Sequence, residues 1–377
     1  MDFELNEDQR MLKASVHHFL EKEFPKELIK KLYQSDDGYS SELWRKMAAL
    51  GWMGLLVPEE YGGVGGSFLD LVVLVEEMGY NLCPGPFLST VVLGGMTVLM
   101  SGNEEQKIDI LPKLTRGEVK LTLALSEPNT IYDPSYIQVT ATLDKDEYVI
   151  GGTKLFVPDA NFADYFLCVA RTERTPNPEE GITILLVDAK NPRTKCTLLR
   201  TLFNSKLCEI VFNDARVAKE NVLGTVNLAW PTVTAIMEKA ALVRCAEMIG
   251  GAQAAFDMAL QYAKQRVQFD RPIGSFQAIQ HHLANMWIDI NGSRFLLYKA
   301  AWKMSSLIRA SKEVAMAKAR IGNVYRRVTT LGHQIFGGIG FTMEHDMHLY
   351  HRLSIEGDQA FGDQDFHREK VARELGL

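Results

Sequence analysis

The 377-residue sequence lacks any apolar run of the roughly 18 residues that a membrane-crossing helix needs, which argues against a helical span. It also lacks a long basic stretch. With a formal net charge of −6, that excludes the electrostatic footprint of a nucleic-acid binder, and an anionic substrate must rely on local arginines or lysines. Cysteine is sparse. Cys83, Cys168, Cys196, Cys208 and Cys245 are scattered without CxxC or metal-like spacing and sit mostly among apolar residues, so they read as reduced core thiols of a cytosolic protein. His281, His282, His345, His348 and His351 form neither HExxH nor a carboxylate-bracketed set, so they read as helical surface positions and no metal site is expected. Internal repeats, low complexity and a disordered tail are missing too. The length allows two or three domains with a large core.

Local pattern divides the chain into three stretches. Asn6 and Gln9 have capping-box spacing, and Leu12, Val16, Phe19 and Leu20 follow at helical period. A second helix fits Ser41 to Leu50, stopped by Gly51, and a third starts at Ser67 with Asp70 three residues on. From Leu121 the pattern turns to alternation: Val139, Ala141 and Leu143 face one way, Thr140 and Thr142 the other, and Asp144-Lys145-Asp146 makes a polar turn. Further strands are expected at Tyr165 to Ala170, Ile182 to Val187, Thr197 to Leu202 and Leu207 to Phe212. After Leu223 long helices return, over Thr232 to Arg266, Ser275 to Ser306 and Ser311 to Leu331. Their broad apolar faces predict a bundle that also makes subunit contacts.

Two motifs carry chemistry. In RVQFDRPIGSFQAIQHHLANM, Arg266 can make charge-assisted bonds to a diphosphate, Phe269 can stack on a heterocycle and Gln277 can read polar edges, so a dinucleotide can be held without a Rossmann fold. In QIFGGIGFTMEHDMHLYHR, the paired glycines Gly337 and Gly338 let the backbone approach a ligand closely. Both stretches resemble signatures of the acyl-CoA dehydrogenase family. The likeness runs along the whole chain, through MDFELNEDQRMLKASVHHFLEKEF, LGWMGLLVPEEYGGVGGSFLDLVVLVEEMGY, SGNEEQKIDILPKLTRGE, LALSEP, YVIGGTKLFVPDANFADYFLCVART and NSKLCEIVFNDARVAKENVLG.

The resemblance implies an α+β fold with an N-terminal helical domain (1–118), a central β-barrel or sandwich domain (119–224) and a C-terminal four-helix bundle (225–377). It implies FAD as cofactor, desaturation of an acyl-CoA thioester between its α and β carbons, and transfer of electrons to an electron-transfer flavoprotein. Arg266, Phe269 and Gln277 match residues that hold the diphosphate and adenosine part across a subunit interface. Gln334, with Gly337 and Gly338, matches the companion contact. Ser126 matches the hydroxyl residue set against the flavin ring. Phe156 and Pro158 stand where the family has an aromatic and a hydroxyl residue beside it, but proline has neither hydroxyl nor backbone donor.

The second departure is larger. Where most of the family has Glu-Gly-Thr, with glutamate as base, this chain has Phe361, Gly362 and Asp363. The alternative position used by a minority is Ala240. Glu247, seven residues and nearly two turns beyond Ala240 in the apolar stretch VRCAEMIGGAQAAF, is the expected replacement, as a poorly solvated and purposeful carboxylate. A structural ion pair with Arg244 or Lys264 is the competing reading of Glu247. Glu238 reads as a solvated helix residue, and Asp363 as a flavin contact or a reserve acid; both rank after Glu247. The altered SEPNTIYDPS run and the lost base resemble members acting on branched, cyclic or bulky acyl groups, some of which work as two unlike subunits. The resemblance thus implies a homotetramer or an α2β2 heterotetramer. The start, MDFELNEDQR, reads directly as helix entry, which fits a prokaryotic cytoplasm. Two rival readings are a non-catalytic subunit that shares FAD with a partner, and a flavin monooxygenase on the same fold.

Overall fold

The computed structural model describes residues 4–128, 132–201 and 204–377. The first stretch forms helices α1 (Glu7–Glu23), α2 (Lys26–Gln34), α3 (Ser41–Ala49), α4 (Phe68–Tyr80), α5 (Met96–Ser101) and α6 (Glu104–Thr115). Their starts are written locally. Asn6, Ser67 and Asn103 each accept from the third helical amide while that residue's side chain returns to the cap amide, completing reciprocal capping boxes. Ser40 caps α3, and Gly51 follows it with φ 80°.

Strands follow: β1 (Leu121–Ala124), β2 (Thr140–Asp144), β3 (Glu147–Pro158), β4 (Tyr165–Arg171), β5 (Ile182–Asp188), β6 (Thr194–Leu198), β7 (Leu207–Ala218) and β8 (Val222–Leu223). They form one sheet in the order β6-β7-β3-β2-β4-β5-β8, with β1 added parallel to β4. Long antiparallel pairing of β3 with β7, from Glu147 opposite Ala218 to Pro158 opposite Leu207, is its backbone. Inward residues of both strands, among them Ile150, Val157, Ile210 and Phe212, join Phe166, Cys168, Leu185 and Val187 in a single core.

Three strand expectations need correction. Leu143 does not share the buried face of Val139 and Ala141 but is 54% exposed, because it lies beside the Asp144-Lys145-Asp146 turn, past the edge of the core. β6 begins earlier than expected, at Thr194, because it pairs with β7 from Cys208 as far as Phe212. Leu202, the expected end of that strand, lies outside the described residues. β7 itself continues to Ala218. Cys196 lies on β6 and is exposed rather than in the core, whereas Cys168, Cys208 and Cys245 are buried.

The C-terminal stretch comprises α7 (Trp230–Gln265), a short hairpin of β9 (Val267–Gln268) and β10 (Arg271–Pro272), then α8 (Gln277–Ser305), α9 (Ser311–Phe336), α10 (Met347–Gln359) and α11 (Gln364–Glu374). By internal contacts the chain divides into two compact units, one of residues 1–29, 67–83 and 241–377, the other of residues 30–66 and 84–240. In the first, α1 and α4 pack with the bundle. A Cβ added at Gly79 would collide with the carbonyl oxygen of Glu247, and one at Gly250 with that of Glu76, so α4 and α7 touch backbone to backbone.

Glu76 lies buried beside this seam. Arg294 Nε and Tyr298 Oη donate to it at 2.9 and 2.8 Å, and Lys13 Nζ approaches to 3.4 Å. Burial pushes its pKa up, but Arg294, Lys13 and the tyrosine hydroxyl together hold it below the ordinary carboxylate value. Neighbouring Glu77 meets His17 at 2.8 Å. Replacing Gly250 with alanine is expected to destabilise the protein by about 2 kcal/mol or more, since the helix backbones must separate. Chemical denaturation of Gly250→Ala against the parent measures this.

Candidate flavin and acyl-CoA site

The first motif lies where α7 ends. Arg266 still donates its amide to Tyr262 O at 2.8 Å, and the chain then reverses through the β9–β10 hairpin, with Gln268 opposite Arg271. Phe269 and Asp270, the two turn residues, both have positive φ, 52° and 63°. This is the type I′ pattern, which matches strand twist but normally selects glycine or asparagine. Phe269 accepts the strained position and its ring is 86% exposed. Phe276 braces it edge-on at 6.1 Å and carries the Arg271 guanidinium at 4.0 Å. Arg266 and Gln277, the latter the first residue of α8, are exposed beside it. α8 starts at Gln277 rather than Ser275 because Phe276 is extended.

The second motif meets the first. Phe336, the last residue of α9, packs on Tyr262 with ring centroids 4.7 Å apart, which brings Gln334, Gly337 and Gly338 to the same end of the helical unit. All three are exposed. Gly337 has φ 65° and ψ −144°, a conformation that needs glycine. Gly338 has no such requirement, and a Cβ built there would meet nothing within 4 Å. The protein itself gives no reason for glycine at 338. Arg266, Phe269, Gln277 and Gln334 around that open backbone supply a cation, a ring and two amides, a donor set suited to a dinucleotide.

Of the five histidines expected at the surface only His348 is buried, and His333, outside that set, is buried as well. His333 is buried, stacked on Phe341 at 4.5 Å and edge-on to His351 at 5.1 Å, while His348 is buried by the packing of α10. Burial, with the neighbouring imidazoles, keeps the His333 pKa below its usual value.

Ser126, Phe156 and Pro158 gather at one edge of the sheet in the other unit. Leu155 N donates to Ser126 O at 2.9 Å, and the β3–β7 register breaks between Lys154 and Val157. At this bulge Phe156 has φ 54° and is 57% exposed, turned out of a strand whose neighbour Val157 is core. Pro158 offers only a carbonyl, which accepts from Thr122 Oγ1 at 2.6 Å. Beneath them lies a pair that the pattern of residues did not reveal. Lys154 Nζ, fully buried, donates to Glu127 Oε1 at 2.6 Å and Leu125 O at 3.0 Å, and Glu127 accepts from Gln138 N at 2.8 Å. A lysine in a core strand two residues from an exposed aromatic is the signal that was there to read. Of the SEPNTIYDPS run, Asn129, Thr130 and Ile131 lie outside the described residues.

Glu247 departs from its expected environment. It is not an unpaired carboxylate: Arg244 Nη1 donates to Oε2 at 2.6 Å, and its side chain is 28% exposed. Three residues along a helix bring such a pair together, as the competing ion-pair reading with Arg244 expected. The pair lines a small cavity with Gly79, Leu82, Met248, Tyr325 and Leu353. Ala240 is buried and Glu238 half-buried. Asp363 is the N-cap of α11, its Oδ1 accepting from Asp365 N at 3.1 Å and Phe366 N at 2.9 Å. It stands beside Lys318, whereas Phe336 is 18 residues further along α9, about 27 Å at helical rise. The structure therefore does not bring Asp363 to the Arg266–Gln334 end within one chain.

Comparison with known proteins decides the family. Family profiles match consecutive parts of the chain: the acyl-CoA dehydrogenase N-terminal domain over residues 6–118, the middle domain over 122–215 and the C-terminal domain over 230–376. The chain belongs to the acyl-CoA dehydrogenase family. Among its relatives is a probable acyl-CoA dehydrogenase, YngJ, of Bacillus subtilis, 32% identical over 381 residues and covering 100% of both chains. The CarC subunit of a caffeyl-CoA reductase–Etf complex from Acetobacterium woodii is 31% identical over 92% of each. Butyryl-CoA dehydrogenase from Megasphaera elsdenii superposes with a TM-score of 0.91 at 29% identity over the whole of both chains. Membership makes this an oxidoreductase acting on acyl-CoA thioesters, and FAD is the family's cofactor. Among the described residues no helix is long and apolar enough to cross a membrane.

The Phe361-Gly362-Asp363 turn is held from inside. His367 Nε2 donates to Phe361 O at 2.9 Å, and burial pushes the imidazole pKa down to about 4 from its usual 6.5. A base whose folded pKa is depressed binds fewer protons than its unfolded form between those values, so its contribution is intact above pH 6.5 and is lost as pH falls towards 4. On the order of 3 kcal/mol is expected to disappear across that window. Urea melts of the parent should show it, and those of His367→Phe should show a flatter dependence.

Proposed function

We propose that this chain is a flavin-dependent dehydrogenase that removes two hydrogens across the α and β carbons of an acyl-CoA thioester with a branched, cyclic or otherwise bulky acyl group. FAD, when bound, supplies the acceptor for the β hydrogen. Arg266 and Gln277 hold its diphosphate end, Phe269 stacks on its heterocycle, and Gln334 with the backbone of Gly337 and Gly338 forms the companion contact. Ser126 and Phe156 face the flavin ring, with Pro158 closing that edge. The observation that carries this reading is Gly338, a glycine that nothing in the chain requires, set beside an aromatic displayed on a strained turn. Gly338→Val is expected to lower bound flavin at least tenfold while leaving the melting temperature of the apoprotein within a degree or two, because the new side chain meets only open space. The ratio of visible to ultraviolet absorbance after purification measures the first, calorimetry the second.

Glu247 is the proposed acceptor of the α proton, oriented by Arg244 at the wall of its cavity. Glu247→Gln is expected to keep flavin and acyl-CoA binding yet slow anaerobic bleaching by about 100-fold or more, the usual scale for a general base. Bleaching near the parent rate would shift the role to Glu238 or to Asp363.

The proposed electron acceptor is an electron-transfer flavoprotein, a reading supported by the relative from an Etf complex. Trp287, Ile288, Phe295 and Trp302 lie exposed along α8, three of them at seven-residue intervals. Such an apolar stripe supports helix-to-helix assembly into a homotetramer or an α2β2 heterotetramer. A bacterial cytoplasm is the proposed setting. One observation favours a second reading: Glu247 is already engaged by Arg244, and the family resemblance sets Phe361 where most members have their base. Both fit a subunit that shares FAD without performing chemistry. Purifying the chain alone and titrating it anaerobically with a panel of acyl-CoA thioesters separates the two. Bleaching of its own flavin supports the dehydrogenase, and a flavin that no thioester bleaches supports the silent subunit.

A further inference from the structure

A lysine that the reaction does not use lies wholly inside the helical unit. Lys318, on α9, has no exposed surface, and its ammonium donates to two backbone carbonyls, Asp358 O and Gly362 O, each at 2.7 Å. Burying an ammonium with only neutral carbonyls for direct partners is costly, and desolvation holds its pKa below the usual lysine value. A neutral side chain would fill the same volume without that cost, so the charge has a use.

Its two acceptors bracket one feature. Asp358 is near the end of α10 and Gly362 is in the turn into α11, and between them Phe361 and Gly362 both take positive φ, 59° and 93°. Such a turn is intrinsically unfavourable for phenylalanine and persists only where its surroundings hold it. Lys318 grips it at both sides and His367 takes the carbonyl between, Phe361 O. The helix that runs into this turn walls the Glu247 cavity: Leu353 lines it directly, and a Cβ at Gly357 would press on Met248 and Arg244.

We propose that Lys318 is a positioning residue: by holding the carbonyls of Asp358 and Gly362 it fixes where Phe361 stands and how α10 closes the Glu247 cavity. It touches no reacting atom. The inference rests on the proposed acyl-CoA chemistry for its kinetic consequence, but not for its structural one.

The test is Lys318→Met in the full-length protein, which keeps volume and removes the two donors. Amide hydrogen exchange over residues 359–366 is expected to quicken at least tenfold, while exchange at the Arg266–Gln277 hairpin and the flavin content stay at parental levels, since that end of α9 is distant. Turnover per bound flavin is expected to fall at least tenfold. A purely structural lysine would lower thermal stability and flavin content together and leave turnover per bound flavin within twofold of the parent, which would overturn the proposal, as would unchanged exchange at 359–366. If the methionine variant does not fold, Gly362→Ala disturbs the same turn without touching the lysine, because its Cβ would press on the Phe366 ring. The same two readouts then decide. A parent that binds flavin yet is bleached by no acyl-CoA overturns the functional reading alone, and the exchange measurement still decides Lys318.

Discussion

Contact of α4 with α7 at Gly79 and Gly250 sets the register on which the helical unit depends. Two helices can touch backbone to backbone only where side chains are missing, and there they cannot slide or rotate without collision. With α7 locked, Arg244 and Glu247 face their cavity together, and at the end of the same helix Gln265 releases the chain into the hairpin at a set point. The Glu76 network beside the seam adds direction: a buried carboxylate shared by Arg294, Tyr298 and Lys13 ties α1, α4 and α8 to one another and tolerates little displacement, because any partner withdrawn leaves a charge stranded in a dry interior.

Among the described residues three phenylalanines hold a left-handed backbone: Phe269 on the hairpin, Phe156 at the β3 bulge, and Phe361 in the turn after α10. Each is held by interactions from beneath. Phe276 and Arg271 support the first, the Lys154–Glu127 pair the second, Lys318 and His367 the third. Two of the three supports are lysines with no exposed surface, used to clamp carbonyl groups of turns rather than to meet solvent.

Much of this was legible in the residues themselves, and the rest was hidden for identifiable reasons. Capping boxes at Asn6 and Ser67 depend on neighbours three residues away, so sequence alone specifies them. The long α7, α8 and α9 helices follow from sustained period. Strand limits were less legible: β6 starts where β7 offers a partner, a pairing that local pattern does not carry, and Leu143 alternates correctly yet lies beyond the core. Helical spacing singles out Glu247 and also places Arg244 one turn before it, while the apolar composition around them says nothing of the pair. Val314, Ile321 and Tyr325 mark the stripe of α9 that carries Lys318 as buried. A cation inside an apolar stripe signals a backbone to be held, and its target, 40 residues downstream, is visible only once the chain has folded.

The Phe269–Asp270 turn has one more consequence. Both residues occupy left-handed backbone wells before any ligand arrives, so the conformational penalty is settled during folding rather than at association. A planar molecule reaching this end of the bundle meets a rigid shelf instead of a floppy loop, and the free energy of stacking goes into retention instead of ordering. On the proposed reading of this site, slow escape of the prosthetic group follows from geometry built into the chain.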